Sequence, residues 1–290
     1  MSTRTAPAIR SRKVRDGGEP LVMVTAYDAP GARQAHAADV DLILVGDSLA
    51  MVVLGYDDTL QVTVDDIAHH VAAVRRGLAT STATGNPPFL VGDMPWMSYH
   101  TTPADAVNNA AALVRAGASA VKLEGGRKRL PVVEAILDAE VPVMGHIGLT
   151  PQSLHAMGGF KVQGRQHSAA LALVDDAKAL AGAGCFSLVL EGVPDEVAAL
   201  VTESVDIPTI GIGAGPHCDG QVLVYHDVLG LEDRVRPKFV RRYAELGAAS
   251  VEGLAAFADD VRSGRFPSDD ESYHLSADVV DSLGLYGSSH

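Results

Sequence analysis

Cysteine is nearly missing from this 290-residue chain, in which Cys185 and Cys218 are the whole complement. Two are too few for a disulfide framework or a cysteine-rich zinc site, so each reads as a small apolar packing residue. Positive charge is also short. Lys and Arg number 23 against 36 Asp and Glu, leaving a net charge of -13. That field repels nucleic acid and anionic membranes, and an anionic substrate would need a local cation, either a lysine or a metal. Long apolar runs are absent too, none approaching the roughly 18–20 residues of a membrane span. Met1 to Arg15 carries several arginines but no apolar core of signal-peptide length, and reads as a short solvated arm. A cytoplasmic protein with small-molecule substrates is the expectation.

What is present is a balanced globular composition, 47% hydrophobic and 20% charged. The length suits one barrel as well as two small domains. Short apolar runs recur at Leu21–Thr25, Leu42–Val45, Phe89–Gly92, Ala120–Leu123, Val141–Met144, Ser187–Leu190, Pro208–Ile212 and Val222–Tyr225. Alanine-rich stretches with helical spacing separate them, among them Thr102–Arg115, Ser168–Ala183 and Asp195–Glu203. Runs that are apolar throughout fit parallel strands covered on both faces, and the alternation argues for an α/β fold. Ala116-Gly117-Ala118 and Gly182-Ala183-Gly184 read as helix exits. No Pro-, Gly- or Ser-rich linker divides the chain. The expected division is an arm over 1–20, a barrel with C-terminal helices over 21–265, and a tail over 266–290. After Leu231 the spacing of Phe239, Tyr243, Leu246, Leu254, Phe257 and Val261 predicts helix, packed outside the barrel or between subunits.

Ionisable residues stand at the carboxyl ends of the apolar runs. Asp47, Asp93, Glu124 and Glu191 each follow one, and His146 closes another. A lone Asp after a strand is most often a helix cap, but Glu is a poor cap and a poor strand former. In a (β/α)8 TIM barrel these ends converge on one mouth, where active sites are built, whereas an open doubly wound sheet scatters them along an edge. The pattern therefore favours the barrel. Clustered carboxylates repel one another unless a cation or a shared proton intervenes, and a hard divalent ion, Mg²⁺ by default, meets that need. Lys122 and Glu124 lie two apart and so face the same side of a strand. Lys122 could be a structural ion pair, the holder of a substrate carboxylate, or a Schiff-base nucleophile.

Other features are weaker. Gly211-Ile212-Gly213-Ala214-Gly215 follows the seventh run, where barrels can bind phosphate, but a tight packing turn is the stronger reading. Gly158–Arg165 carries glycines and two cations, as in a flap or an anion contact, or simply a surface loop. His69-His70 reads as a surface or core pair on a helix, and Trp96 as a residue lining or filling the mouth.

Thr25-Ala26-Tyr27-Asp28, Leu44-Val45-Gly46-Asp47-Ser48, Gly92-Asp93-Met94-Pro95, Val121-Lys122-Leu123-Glu124-Gly125-Gly126 and Gly145-His146-Ile147-Gly148-Leu149-Thr150-Pro151-Gln152-Ser153 follow one another along the chain. With Lys161-Val162-Gln163-Gly164-Arg165 and Gly211–Gly215, this ordered set resembles the ketopantoate hydroxymethyltransferase family, from about Ala26 to His274. The resemblance implies a (β/α)8 barrel of the phosphoenolpyruvate mutase and isocitrate lyase group. It implies transfer of a one-carbon unit from 5,10-methylenetetrahydrofolate to 3-methyl-2-oxobutanoate through a metal-stabilised enolate, giving 2-dehydropantoate for pantothenate synthesis. By the same resemblance Asp47 and Asp93 bind Mg²⁺, with Glu124 completing the shell directly or through water. Ser48 and Lys122 contact the keto acid, His146 lies near it, and Glu191 is the catalytic base, its pKa needing to be raised by burial. A homo-oligomer, often a decamer, is implied as well. The chain departs from the family pattern at His155, at Gly192 and around His167, none of which bears on the metal carboxylates. Two alternatives are a carbon–carbon lyase of the isocitrate lyase type, disfavoured because no Lys-Lys-Cys-Gly-His loop occurs, and a non-catalytic barrel scaffold, disfavoured by the retained carboxylates.

Overall fold

In the computed structural model, which describes residues 4–231 and 237–283, the apolar runs become eight parallel strands. They are β1 (Leu21–Thr25), β2 (Leu42–Val45), β3 (Phe89–Asp93), β4 (Ala120–Glu124), β5 (Val143–Gly148), β6 (Ser187–Glu191), β7 (Thr209–Ile212) and β8 (Gly220–Leu223). Each pairs with its sequence neighbour, and β8 closes on β1 through Leu21–Gly220 and Met23–Val222, so the sheet is a closed barrel. Parallel neighbours need crossover connections, and helices supply them between all the strands except β7 and β8, which loop 213–219 joins. Helix Val64–Ala79 starts on a capping box between Thr63 and Asp66, and helix Pro103–Ala116 on the Thr102 side chain with proline in its first turn. Gly117 and Gly184, both at positive φ, end their helices as the sequence suggests.

Alternation along the strands makes two cores. Ile43, Val45, Leu90, Val121, Leu123, Ile147, Leu188 and Leu190 face out and pack under the helices. Leu42, Leu44, Phe89, Val91, Ala120, Met144 and Val189 face in and fill the barrel. Burial of this kind stabilises at about 25 cal/mol per Å² of apolar surface.

The structure revises four details of the sequence reading. The fifth strand runs from Val143 to Gly148, so His146 lies inside β5 and not at its close. The eighth begins earlier, at Gly220, where a side chain would collide with the Leu21 carbonyl and glycine lets β8 pair with β1, and it ends at Leu223, before a short helix Tyr225–Val228. Among the described residues after Leu231, helix occupies Leu246–Ser263, while Phe239 and Tyr243 lie in irregular chain. Phe239 is spent on packing against Gly213, which accounts for its place in the periodic pattern.

The described part of the N-terminal arm is docked on the barrel through three buried residues. Ala6 and Ile9 join the barrel's interior core, and Lys13 is 2% exposed, its Nζ 2.7 Å from both Asp219 Oδ2 and the Thr202 carbonyl. The arm's small apolar face covers the open lower end of the barrel. The segment 266–290 is exposed over its described part except at the half-buried Ser272 and Val280, and includes helix Ala277–Leu283; the expected tail residues 284–290 lie outside the described residues. No described helix is long and apolar enough to cross a membrane.

Candidate active site at the barrel mouth

The inward register that places Phe89 and Val91 in the core continues to Asp93 at the top of β3. Likewise Ala120 leads to Lys122 and Glu124, Met144 to His146, and Val189 to Glu191. Apolar side chains fill the lower layers and ionisable ones the uppermost. Strand register sets Asp93 beside Lys122 and Glu124 beside His146. Gly148 pairs with Glu191 at positive φ, and a Cβ there would stand 2.3 Å from the Glu191 carbonyl. A glycine is thus required for β5 and β6 to run together to the mouth.

Lys122 Nζ lies 2.9 Å from Asp93 Oδ1, 3.3 Å from His146 Nδ1 and 3.9 Å from Glu124 Oε1. His146 Nδ1 is 3.4 Å from Glu124 Oε1, and its Nε2 is 3.2 Å from Glu191 Oε2. Asp47 lies just beyond β2, its backbone N–H donating to Asp93 Oδ2 at 3.1 Å. Asp47, Asp93, Lys122, Glu124 and His146 are all buried, whereas the Glu191 side chain is 17% exposed and open to an incoming molecule. Ser48 turns aside, its hydroxyl 2.8 Å from that of Tyr27. Six of the seven expected residues therefore meet, and Ser48 borders the cluster through Asp47.

Three residues that the sequence reading gave no role complete the frame. Gln152 donates from Nε2 to Asp47 Oδ2 at 2.9 Å and to the Met94 carbonyl at 3.0 Å, and its backbone N–H donates to Glu124 Oε2. Tyr99 donates to Gln152 Oε1 at 2.6 Å and accepts from the Glu124 N–H. Arg129 lies over the Tyr99 ring, 5.5 Å from its centroid. Gln152 sits in the Thr150–Ser153 motif, a usable signal; Tyr99 and Arg129 had none in spacing or charge.

The cluster has more negative charge than its cations balance. Burial, then the charges of Asp93 and Glu124, hold the Asp47 carboxyl well above the ordinary aspartate range, and burial with Glu124 also raises Asp93. Burial works against the Lys122 ammonium, yet Asp93, Glu124 and Asp47 together raise its pKa, so it stays charged. Burial and Lys122 lower His146, but the Glu124 and Glu191 carboxylates outweigh them and lift it to about 9. Asp93 Oδ1 and His146 Nε2 are buried without a well-formed hydrogen bond. A divalent cation would relieve this repulsion. Among the described residues no three Asp, Glu, His or Cys side chains form a direct metal cage. The fit is therefore to an ion held by one or two carboxylates and otherwise by water, the usual habit of Mg²⁺.

The other sequence candidates fall outside this cluster. Gly213 packs on the Phe239 ring and Gly215 on Asp195, so the glycine-rich turn after β7 is a packing turn. His70 Nδ1 contacts the Tyr27 carbonyl at 2.6 Å from helix Val64–Ala79. Trp96 is 42% exposed on the loop after β3. Cys185 is buried just before β6, at the end away from the mouth, and burial pushes its thiol up to about 12. Cys218 packs on Gly211, so neither thiol can serve as a mouth-loop nucleophile of the lyase type.

The model of the ketopantoate hydroxymethyltransferase family matches residues 4–269. The chain belongs to that family. It is an enzyme, and its reaction is the hydroxymethyl transfer that forms ketopantoate (2-dehydropantoate). It is 55% identical over 261 residues to the 3-methyl-2-oxobutanoate hydroxymethyltransferase of Methylobacterium sp., covering 90% of this chain and 88% of the relative. It is 52% identical over 271 residues to that of Moorella thermoacetica, covering 93% and 97%. Among solved structures it resembles a phosphonopyruvate hydrolase in complex with oxalate and Mg²⁺ (TM-score 0.58, 15% identity, covering 98% of this chain and 96% of that one). It also resembles 2,3-dimethylmalate lyase (TM-score 0.57, 17% identity, covering 97% and 95%). At those identities the likeness concerns the barrel fold alone.

Proposed function

We propose that this chain transfers the one-carbon unit of 5,10-methylenetetrahydrofolate to C3 of 3-methyl-2-oxobutanoate, using a divalent cation held at Asp47 and Asp93. The observation that carries the reading is the buried surplus of carboxylate at the mouth, with one ammonium beside it and one accessible carboxylate at its edge. Glu124 belongs to the cation's surroundings through water, since its two oxygens already face His146 and the Gln152 N–H. When bound, the cation supplies Lewis acidity at the keto oxygen.

The protein groups have separable tasks. Lys122, kept charged by three acids, holds the substrate carboxylate as a cation and forms no imine. Glu191 removes the C3 proton, and His146, 3.2 Å away, orients that carboxylate. Water adds at the folate methylene carbon, whose two C–N bonds break as tetrahydrofolate leaves with its N–H groups restored. The C3 nucleophile attacks the resulting carbonyl carbon and the new oxygen takes a proton, giving the hydroxymethyl group, while the protein's share is position and charge. Ser48 contacts the keto acid from beside Asp47, exchanging its bond to the Tyr27 hydroxyl for one to the substrate. Homo-oligomerisation is part of the proposal. Helix Leu246–Ser263 buries none of its residues and exposes Leu246, Val251, Leu254, Phe257 and Val261, which supports packing against another copy.

The test is C3 deuterium exchange of 3-methyl-2-oxobutanoate in D₂O, without folate, followed by product formation with it. Mg²⁺ is expected to support both and EDTA to stop both. Undiminished exchange in EDTA overturns the cation's role. Exchange without product from the folate overturns the donor.

A further inference from the structure

Two cations two residues apart, on the turn after β4, are used differently. Arg127 pairs with Asp176 at 3.0 Å and Asp175 at 3.6 Å. Among the described residues Arg129 has no carboxylate within ion-pair distance, and its Nε is buried without a partner. Its position is nevertheless built. Gly125, at positive φ, carries no side chain, and the Arg129 Cγ lies 2.8 Å from where a Cβ would stand. The stem thus folds onto the chain immediately after Glu124, and the guanidinium lies over the Tyr99 ring. His100 stacks on the same ring, 4.2 Å between centroids, and its Nδ1 is also buried without a partner. Burial, then Arg129 and Lys128, lower His100 to about 4, so it is a neutral donor at pH 7.

We propose that Arg129 and His100 form a carboxylate-binding subsite on the rim of the mouth, and that its ligand is the glutamate tail of the folate carrier. The inference rests on the folate donor proposed above. A guanidinium stacked on an aromatic ring keeps its planar fork for an anion, and in a chain of net charge -13 it has been left without an internal acid. The keto acid has a single carboxylate, already assigned to Lys122 inside the barrel. Tyr99 separates Arg129 from that layer, bonding Glu124 and Gln152 with its hydroxyl. The carrier, in contrast, bears its carboxylates at the end remote from its reacting methylene. With the methylene at the keto acid, the tail points outward to the rim. Lys161 and Arg165, on the loop after β5, are exposed and, among the described residues, stacked on no ring, so they are weaker candidates.

The experiment compares two donors, methylenetetrahydrofolate and its tetrahydropteroate analogue lacking glutamate, in the wild type, Arg129→Ala and Arg129→Lys. The wild type is expected to favour the glutamate-bearing donor in KM by about tenfold, the scale of one charge-assisted hydrogen-bond pair. That preference should shrink toward unity in Arg129→Ala and stand between in Arg129→Lys, which keeps the charge but loses the fork. An unchanged preference in Arg129→Ala overturns the subsite while leaving the donor intact. If the keto acid alone shows a raised KM, the subsite is overturned in favour of the keto acid as the ligand. Failure of wild type to bind tetrahydrofolate in equilibrium titration overturns the donor reading and the subsite together.

Discussion

The two ends of the barrel interior each bury charge, and they do so in opposite ways. At the lower end one lysine meets one aspartate. Lys13 has two close acceptors, and Asp219 accepts from Lys13, from the Val14 and Thr209 N–H groups and from the Thr209 hydroxyl. Both carboxylate oxygens accept hydrogen bonds and the charges cancel. At the mouth Asp47, Asp93 and Glu124 share one lysine and one histidine, and two polar atoms lack a well-formed bond. A buried pair that is balanced, with each charged atom hydrogen-bonded, specifies where the arm docks. A buried cluster left unbalanced is a site prepared for a cation and an anionic substrate. Charge burial alone does not mark function here; the imbalance does.

Two substitutions should separate the ends cleanly. Glu191→Gln keeps size and shape but cannot accept the C3 proton. Deuterium exchange into 3-methyl-2-oxobutanoate should fall by about 10²–10⁴, with the urea unfolding curve unmoved. Equal exchange in the two proteins would move the base to His146. Lys13→Met should act the other way, leaving Asp219 buried without its cation. Loss of one partner of a buried pair costs about 3–5 kcal/mol. The urea midpoint should drop accordingly, while exchange per folded molecule, measured below the transition, should hold. A stability loss under about 1 kcal/mol would show that the lower pair contributes no more than a surface bridge.

The same contrast explains what the sequence could show. The barrel was legible because its strands are apolar throughout and its helices carry their own caps, such as Thr63 with Asp66 and Pro103 after Thr102. Asp93, Glu124 and Glu191 were legible because an acid closing an apolar run is anomalous for a strand. Lys13 was not. Its arm is short and arginine-bearing, and only the three-dimensional closure of β8 on β1 brings Asp219 beneath it. Tyr99 was hidden for a related reason. It acts through hydrogen bonds to groups 25 or more residues distant, and its type does not stand out in its own stretch of chain.

A third substitution tests the imbalance itself, with a smaller effect. Asp93→Asn removes one of the two proposed anionic ligands. Mg²⁺ at about 100 times its dissociation constant should stabilise the wild type by about 2.7 kcal/mol, seen as a rise in Tm. In Asp93→Asn that rise should largely vanish at the same Mg²⁺ concentration. An equal rise in both proteins would place the ion elsewhere.

The subtlest effect is the pH dependence of that Mg²⁺ stabilisation. The Asp47 and Asp93 carboxyls are held above the ordinary range by burial and neighbouring acids. A group raised in this way contributes stability that is complete below its unfolded value, about 3.9 for aspartate, and is lost as pH rises through the folded value. His146, raised to about 9, has the same sign: its contribution is complete below about 6.5 and fades as pH climbs through 9. Burial raises Glu124, but His146 and Lys122 lower it further, so its opposite contribution is lost only under acid. The metal-free mouth should therefore destabilise the fold increasingly from about pH 4, where the unfolded aspartates ionise, up to about 9, where His146 titrates in the folded protein. Cation binding needs the ionised carboxylates and competes with their protons, so it gains over the same interval. The Tm increment from Mg²⁺ should grow across that interval in the wild type and lose most of its slope in Asp93→Asn. An increment independent of pH would mean that the mouth carboxylates are already ionised at the acid end, and that another counter-charge balances them in the metal-free protein.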